Sequence, residues 1–210
     1  MRIAVLIYGR LNKCVQHYDN IINSIGKEHN IDFFVSSDND SQNNLTDFIN
    51  TYKPILYNND KIEYDCDLSK YSGKRGETNI HNMICHFINK FRVFKLLKNS
   101  IEKNKVEYDV IISLRVDSVF NNNFKFDINL KNNNTIYIPI NNDFVNNAIN
   151  DQIAYGNLSV MEKYMNIFTN IIYLLDTEKS IPHPESLTLA NIKFNNIDIK
   201  RVKLLYYLDR

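Results

Sequence analysis

Ile3 to Tyr8 is an apolar run in which polar and apolar positions never alternate, and it predicts a strand covered on both faces. Val15, Tyr18, Ile21, Ile22 and Ile25 then recur at helical spacing and predict a helix over 15–25. Ile31 to Val35 reads as a second buried strand, ending in Ser36-Ser37-Asp38-Asn39-Asp40. Leu45, Phe48, Ile49 and Tyr52 predict a helix over 42–52, and Pro54 opens a short strand, Ile55 to Tyr57. This alternation implies a parallel sheet with crossover helices. The polar stretch 58–78 predicts no regular element.

From Ile80 the pattern turns strongly helical, with Met83, Ile84, Phe87, Ile88, Phe91 and Phe94 on one stripe. Tyr108 to Leu114 predicts a central strand that runs into Arg115-Val116-Asp117-Ser118-Val119-Phe120. Thr135 to Pro139 predicts another strand, and Gln152 to Gly156 a short one. Residues 158–175 read as a single helix, a shorter helix follows Pro184, and Ile197 to Leu208 closes the chain as one or two strands. Without an internal repeat or a linker, the expectation is one α/β domain spanning 1–210.

Composition narrows the function classes. The chain has 210 residues, 44% of them hydrophobic, enough for a substantial core. Basic and acidic residues nearly balance, 25 against 24, which disfavours a nucleic-acid-coating protein. No apolar run reaches the roughly 18 residues of a membrane span. The N-terminal run is too short for a secretory signal, so the expected location is the cytoplasm. Three cysteines at no metal-like spacing fit a reducing compartment. The 33 asparagines, with many Ile and Lys, suit an AT-rich coding sequence, and their runs fall between apolar segments as loops.

Five glycines are too few, and wrongly placed, for a dinucleotide fingerprint or a P-loop. Ser72-Gly73-Lys74-Arg75-Gly76-Glu77-Thr78 reads as a basic turn whose Lys74 and Arg75 can reach phosphates. His81, Cys85 and His86 are near neighbours on the long helix, but His86 is rotated away from the other two. Asp38-Asn39-Asp40 lacks the glycine and glutamate of a calcium loop. No Gly-x-Ser-x-Gly elbow occurs.

Ligands of open parallel sheets bind beyond the carboxyl ends of the strands. That rule selects Tyr8-Gly9-Arg10, Ser36 to Asp40, and Arg115 to Asp117. Alternation puts Arg115 and Asp117 on one face. A carboxylate leaving a buried strand needs a partner or a metal. Two readings stay open: an Arg115–Asp117 ion pair that caps the sheet, or a site for a phosphate-bearing ligand and a hard cation.

Four pieces carry a family resemblance. They are Ile7-Tyr8-Gly9-Arg10; the long helix with Asn82-Met83 and Phe91-Arg92-Val93-Phe94-Lys95; the strand Tyr108 to Leu114 with Arg115-Val116-Asp117-Ser118-Val119-Phe120; and Asn150-Asp151-Gln152-Ile153-Ala154-Tyr155-Gly156 followed by His183-Pro184-Glu185. In order and spacing they resemble the small GT-A-type nucleotide-sugar-dependent glycosyltransferases of viruses and bacterial polysaccharide clusters. The resemblance implies a GT-A-like (Rossmann-like), mostly parallel central sheet flanked by helices. It implies a nucleotide-binding part of about 1–120 and an acceptor-side part of about 121–210.

It implies UDP- or GDP-sugar donors, a glycan or glycoprotein acceptor, and Mn2+ or Mg2+ as cofactor, in host cytoplasm for a viral protein. Tyr8, Gly9, Arg10 and Asp38 would contact the nucleotide. Asp117 corresponds to the last acid of the Asp-x-Asp metal motif, with Arg115 in place of the first, so Arg115 can neutralise the diphosphate directly. His183 would complete the metal shell. Asp151, and after it Glu185, would be the general base of an inverting enzyme; a retaining one needs none. Two rivals remain: a non-catalytic nucleotide- or sugar-binding module, and a nucleotidyltransferase, for which Gly9-Arg10-Leu11-Asn12-Lys13 is a thin version of the basic loop.

Overall fold

The computed structural model describes residues 1–12, 14–65, 67–71, 79–121, 125–128, 130, 132–140, 143, 148–177 and 181–209. The turn with Lys74 and Arg75, and also Lys13 and Cys66, lie outside the described residues.

Strands β1 (Arg2–Tyr8), β2 (Asn30–Ser36), β3 (Leu56–Asn58), β4 (Val110–Arg115), β6 (Thr135–Pro139), β7 (Ile153–Gly156) and β8 (Asp198–Val202) form one sheet. Its order is β3-β2-β1-β4-β7-β6-β8. β5 (Ser118–Phe120) and β9 (Tyr206–Leu208) form a separate antiparallel ribbon. Within the large sheet β7 runs against both neighbours, and every other adjacent pair is parallel. The mostly parallel α/β architecture expected from the pattern is therefore present.

The unbroken apolar run of β1 has the predicted cause. Ile3, Val5 and Ile7 pack on one face of the sheet with Ile21 and Ile25 of α1 (Tyr18–Ile25) and Phe48 of α2 (Gln42–Tyr52). Ala4, Leu6 and Tyr8 pack on the other face with Val93 and Leu97 of α3 (Ile80–Asn104) and Met161 of α4 (Leu158–Met165). Both faces of a parallel strand are thus taken out of water, which removes the need for polar alternation. At the sheet's edge, β8 is largely exposed and carries Asp198, Lys200 and Arg201, charges that discourage pairing with another strand.

Two expected helices are divided. The segment predicted as a helix over 15–25 begins as a 3-10 turn, Cys14–His17, before α1. The helix expected over 158–175 is two, α4 and α5 (Ile167–Thr177), separated at Asn166. Asparagine competes for backbone hydrogen bonds and tolerates helix ends better than interiors. Here Asn157 starts α4, its side-chain oxygen accepting from the Val160 N–H at 3.0 Å, and Asn166 ends it. The break lets α5 pack on α6 (Pro184–Phe194) and α3. The extension expected beyond Arg115 is also a break, a turn at Val116-Asp117 that leads into β5.

Candidate functional site

The ends of three strands finish level. Tyr8 of β1 is in register with Ser36 of β2 on one side and Arg115 of β4 on the other. The chain then leaves each strand in a connected way: Gly9 N–H donates to the Ser36 carbonyl at 3.2 Å, and Val116 N–H to the Tyr8 carbonyl at 3.1 Å. Gly9 has φ +117°, and a Cβ there would stand 3.3 Å from Val116 Cγ1. Both the backbone angle and the close approach favour glycine at this position.

Above these ends lies a cleft of about 620 Å³, lined by Tyr8, Gly9, Arg10, Asn12, Asp38, Arg115, Val116 and Asp117 from the strand ends. Its opposite wall is the first three turns of α3, with His81, Asn82, Cys85, His86 and Asn89, and Asp209 completes it. Asn79 caps that helix through its side-chain oxygen, 3.0 Å from the Asn82 N–H. Asn89 ties it to β2, accepting the Ser36 hydroxyl at 2.8 Å.

The strand-end charges are paired. Arg115 holds Asp117 with Nε at 3.0 Å from Oδ1 and Nη2 at 2.7 Å from Oδ2. Burial works against the Arg115 charge, and the Asp117 carboxylate more than offsets it. Asp38 accepts the Ile62 N–H at 2.7 Å. The β5–β9 ribbon carries the chain end back to the cleft, where Asp209 N–H donates to the Asp117 carbonyl at 2.9 Å. The Asp209 carboxylate lies 3.3 Å from His17 Nε2 and 2.8 Å from the Gln16 amide.

Beneath the cleft is a polar layer that contains Asp151. Because β7 is antiparallel, its entry, and not its exit, meets the carboxyl ends of β1 and β4. Asp151 Oδ2 lies 2.9 Å from His86 Nε2. Its carbonyl accepts from the Tyr8 hydroxyl and from Lys90 Nζ, each at 3.0 Å. Lys90 is fully buried and also donates to the Tyr164 hydroxyl at 3.1 Å. Burial would raise the Asp151 carboxyl, but the facing His86, Lys90 and Arg115 outweigh it and hold it at about 2. Burial lowers Lys90 to about 8, with Asp151 opposing the shift. Burial likewise lowers His86, with the Asp151 carboxylate acting against the shift.

Six of the nine sequence-predicted site residues thus share one cleft: Tyr8, Gly9, Arg10, Asp38, Arg115 and Asp117. Asp151 lies under its floor, and Glu185 and His183 are not among the lining residues. Burial lowers His183, with Asp151 acting against it. The expected ligand pair for a divalent ion is therefore not assembled on the cleft wall. Both Asp117 oxygens face a guanidinium, and the described residues contain no group of three or more His, Cys, Asp or Glu suited to a metal. These described residues do not form a preassembled site for a resident divalent ion.

The sequence reading missed the α3 wall as a lining and missed Asp209. The polar positions 81, 82, 85, 86 and 89 recur at helical spacing opposite the apolar stripe, and that signal was available. Asp209 carried no such signal, because only the β5–β9 pairing brings it to the cleft.

No family model matches the sequence, and no curated protein matches it. Solved structures do. Mouse xyloside xylosyltransferase 1 in its apo form superposes with a TM-score of 0.51 at 10% identity, over 96% of this chain and 85% of that one. The glycosyltransferase GlyE of Streptococcus pneumoniae TIGR4 superposes with a TM-score of 0.50 at 11% identity, over 95% of this chain and 44% of that one. This chain therefore spans less than half the length of GlyE. At these identities the likeness is one of fold: the chain has the GT-A-type fold of glycosyltransferases.

Proposed function

We propose that this protein is a glycosyltransferase that moves a sugar from a nucleoside-diphosphate sugar to an acceptor hydroxyl on a glycan or glycoprotein. The observation that supports it most is the position of the cleft, at the level carboxyl ends of β1, β2 and β4 in a GT-A-type sheet. The nucleotide lies along Tyr8, Gly9, Arg10 and Asp38, within a nucleotide-binding part of about 1–120. The acceptor is met by the part of about 121–210.

As the sugar leaves, negative charge grows on the departing diphosphate, and a fixed cation stabilises it. Arg115 supplies that charge. Two of its nitrogens are fixed on Asp117, so the guanidinium is oriented before the donor arrives. The carboxylate also lowers the local positive charge, so Arg10, on the same cleft, contributes to donor binding.

A thermal-shift screen of UDP-, GDP-, CMP- and dTDP-sugars, each with manganese and with a chelator, tests the reading. A ligand of the native state raises the melting temperature by mass action. One nucleotide class should stabilise the protein in both conditions, and turnover of that donor should release its nucleoside diphosphate. Pyrophosphate release from a nucleoside triphosphate instead would point to nucleotidyl transfer. A folded sample that responds to none of these donors overturns the proposal.

A further inference from the structure

Each carboxylate of the cleft has at least one oxygen engaged within the protein. Asp117 is held by Arg115, Asp209 by His17 and Gln16, and Asp38 by the Ile62 N–H. Of the two imidazoles, His81 has Nδ1 2.9 Å from the Tyr64 hydroxyl and Nε2 3.5 Å from Cys85 Sγ. His86 differs from all of these, because it has a buried carboxylate behind it and the cleft in front.

Its orientation is over-determined. The Tyr8 ring meets it edge-on at 5.3 Å, and Phe87 does so at 5.2 Å. Nε2 is closed to solvent and 2.9 Å from Asp151 Oδ2, though its N–H is not aligned on that oxygen. Catalytic contacts are often poorly aligned before substrate binds. His86 is one of the residues that line the cleft, 15% of its side chain is exposed, and the buried Nε2 is not part of that exposed surface. Asp151 is fixed in turn, since its carbonyl is held by Tyr8 and Lys90. A carboxylate behind an imidazole whose other edge meets a substrate cleft is the arrangement that makes a histidine a base. A buried ionic layer is also not needed for stability, because apolar side chains of similar volume do as well.

We propose that His86, positioned by Asp151, is the general base that removes the proton of the acceptor hydroxyl. The inference rests on the glycosyl-transfer reading of the cleft. With Nε2 beside the Asp151 carboxylate at 2.9 Å, the tautomer that carries its proton on Nε2 is favoured, which leaves Nδ1 as the basic nitrogen. The acceptor oxygen forms a bond to the anomeric carbon, and its proton passes to Nδ1. The bond from that carbon to the diphosphate oxygen breaks, and its electron pair leaves with the diphosphate towards Arg115. His86 ends as imidazolium beside the Asp151 carboxylate and loses its proton to water when products depart. A single displacement of this kind inverts the anomeric centre. Asp151 is thereby a positioning residue and not the base itself.

The groups facing His86 are Asp151 at the entry of β7, Lys90 on α3, Arg115 on β4 and Tyr8 on β1. The two cations and burial keep its proton affinity below the ordinary value, so activity should fall with an acid limb below about pH 6.5. The test uses hydrolysis of the stabilising nucleotide sugar, with water in place of the acceptor. His86→Gln should lower kcat by about 100-fold or more and remove the acid limb, with nucleoside-diphosphate affinity by calorimetry unchanged. Asp151→Asn should shift the limb while retaining it. NMR should show an inverted anomer as first product. Wild-type kcat in folded His86→Gln, a retained anomer, or a wild-type profile with no acid limb each overturns the base. If His86→Gln does not fold, the wild-type profile and the anomer decide. Absence of nucleotide binding by the wild-type protein overturns the cleft reading itself, and this inference with it.

Discussion

Arg115 and Asp117 at the rim of the cleft stand two residues apart, with 30% and 15% of their side chains exposed. Lys90 and Asp151 in the floor are 61 residues apart and have almost no exposure. The rim pair forms from local chain geometry and stays in touch with water. A ligand phosphate can share its guanidinium at little cost. The floor takes charge out of water and is held only because several elements supply partners at once. Loss of one partner there leaves the others buried without compensation. On the proposed reading the two regions differ in what they do: the rim meets the ligand, whereas the floor fixes the groups around it.

The largest effect should come from breaking the floor. Asp151→Ala removes the charge that faces His86 and Lys90 and should destabilise the protein by about 3–5 kcal/mol in urea unfolding. A loss below about 1 kcal/mol would show that the floor behaves like the rim.

The next effect is on pH dependence. Lys90 is held at about 8, below its ordinary 10.5, so the unfolded chain binds more protons between those values. Stability should therefore rise with pH across that window, by roughly 2–3 kcal/mol. Asp151 is held at about 2, below 3.8, so its contribution is complete above about pH 4 and lost as pH falls towards 2. Urea midpoints measured across both windows check the two signs. Lys90→Met should flatten the alkaline rise and leave the acid loss in place.

The smallest effect on stability belongs to the rim. Arg115→Met should change unfolding free energy by less than about 1 kcal/mol, since a partly exposed pair contributes little. The same variant should weaken donor binding by about 10-fold or more in calorimetry, as a lost charge-assisted contact costs about 1.5–3 kcal/mol. A large stability loss without a change in affinity would reverse the roles assigned to rim and floor.

Periodicity was sufficient wherever one segment met one kind of surroundings. The apolar run of β1, the strand Thr135–Pro139 and the stripe of α3 were all legible, because burial on fixed faces leaves a fixed spacing. The strand-end rule then brought Tyr8, Gly9, Arg10, Asp38, Arg115 and Asp117 to one edge, and all six line the cleft. Pattern failed where asparagine divided a periodic stretch, at Asn166, since the stripe continues across a helix break. It also failed to separate Asp151, under the floor, from the acids of the wall.

The amino-acid sequence by itself determined the α/β alternation, the doubly buried strands and the strand ends from which the rim is built. Those features depend on neighbours close in the chain and on the polarity of each position. Tertiary structure alone decided that His86 meets Asp151, that Lys90 is sealed beneath them, and that Asp209 reaches Asp117. Each of these follows from strand direction and pairing: β7 runs antiparallel and so presents its entry to the cleft, and β9 pairs with β5. Polarity along a chain fixes what is buried. It does not encode the direction of a strand, and that direction sets which buried groups meet.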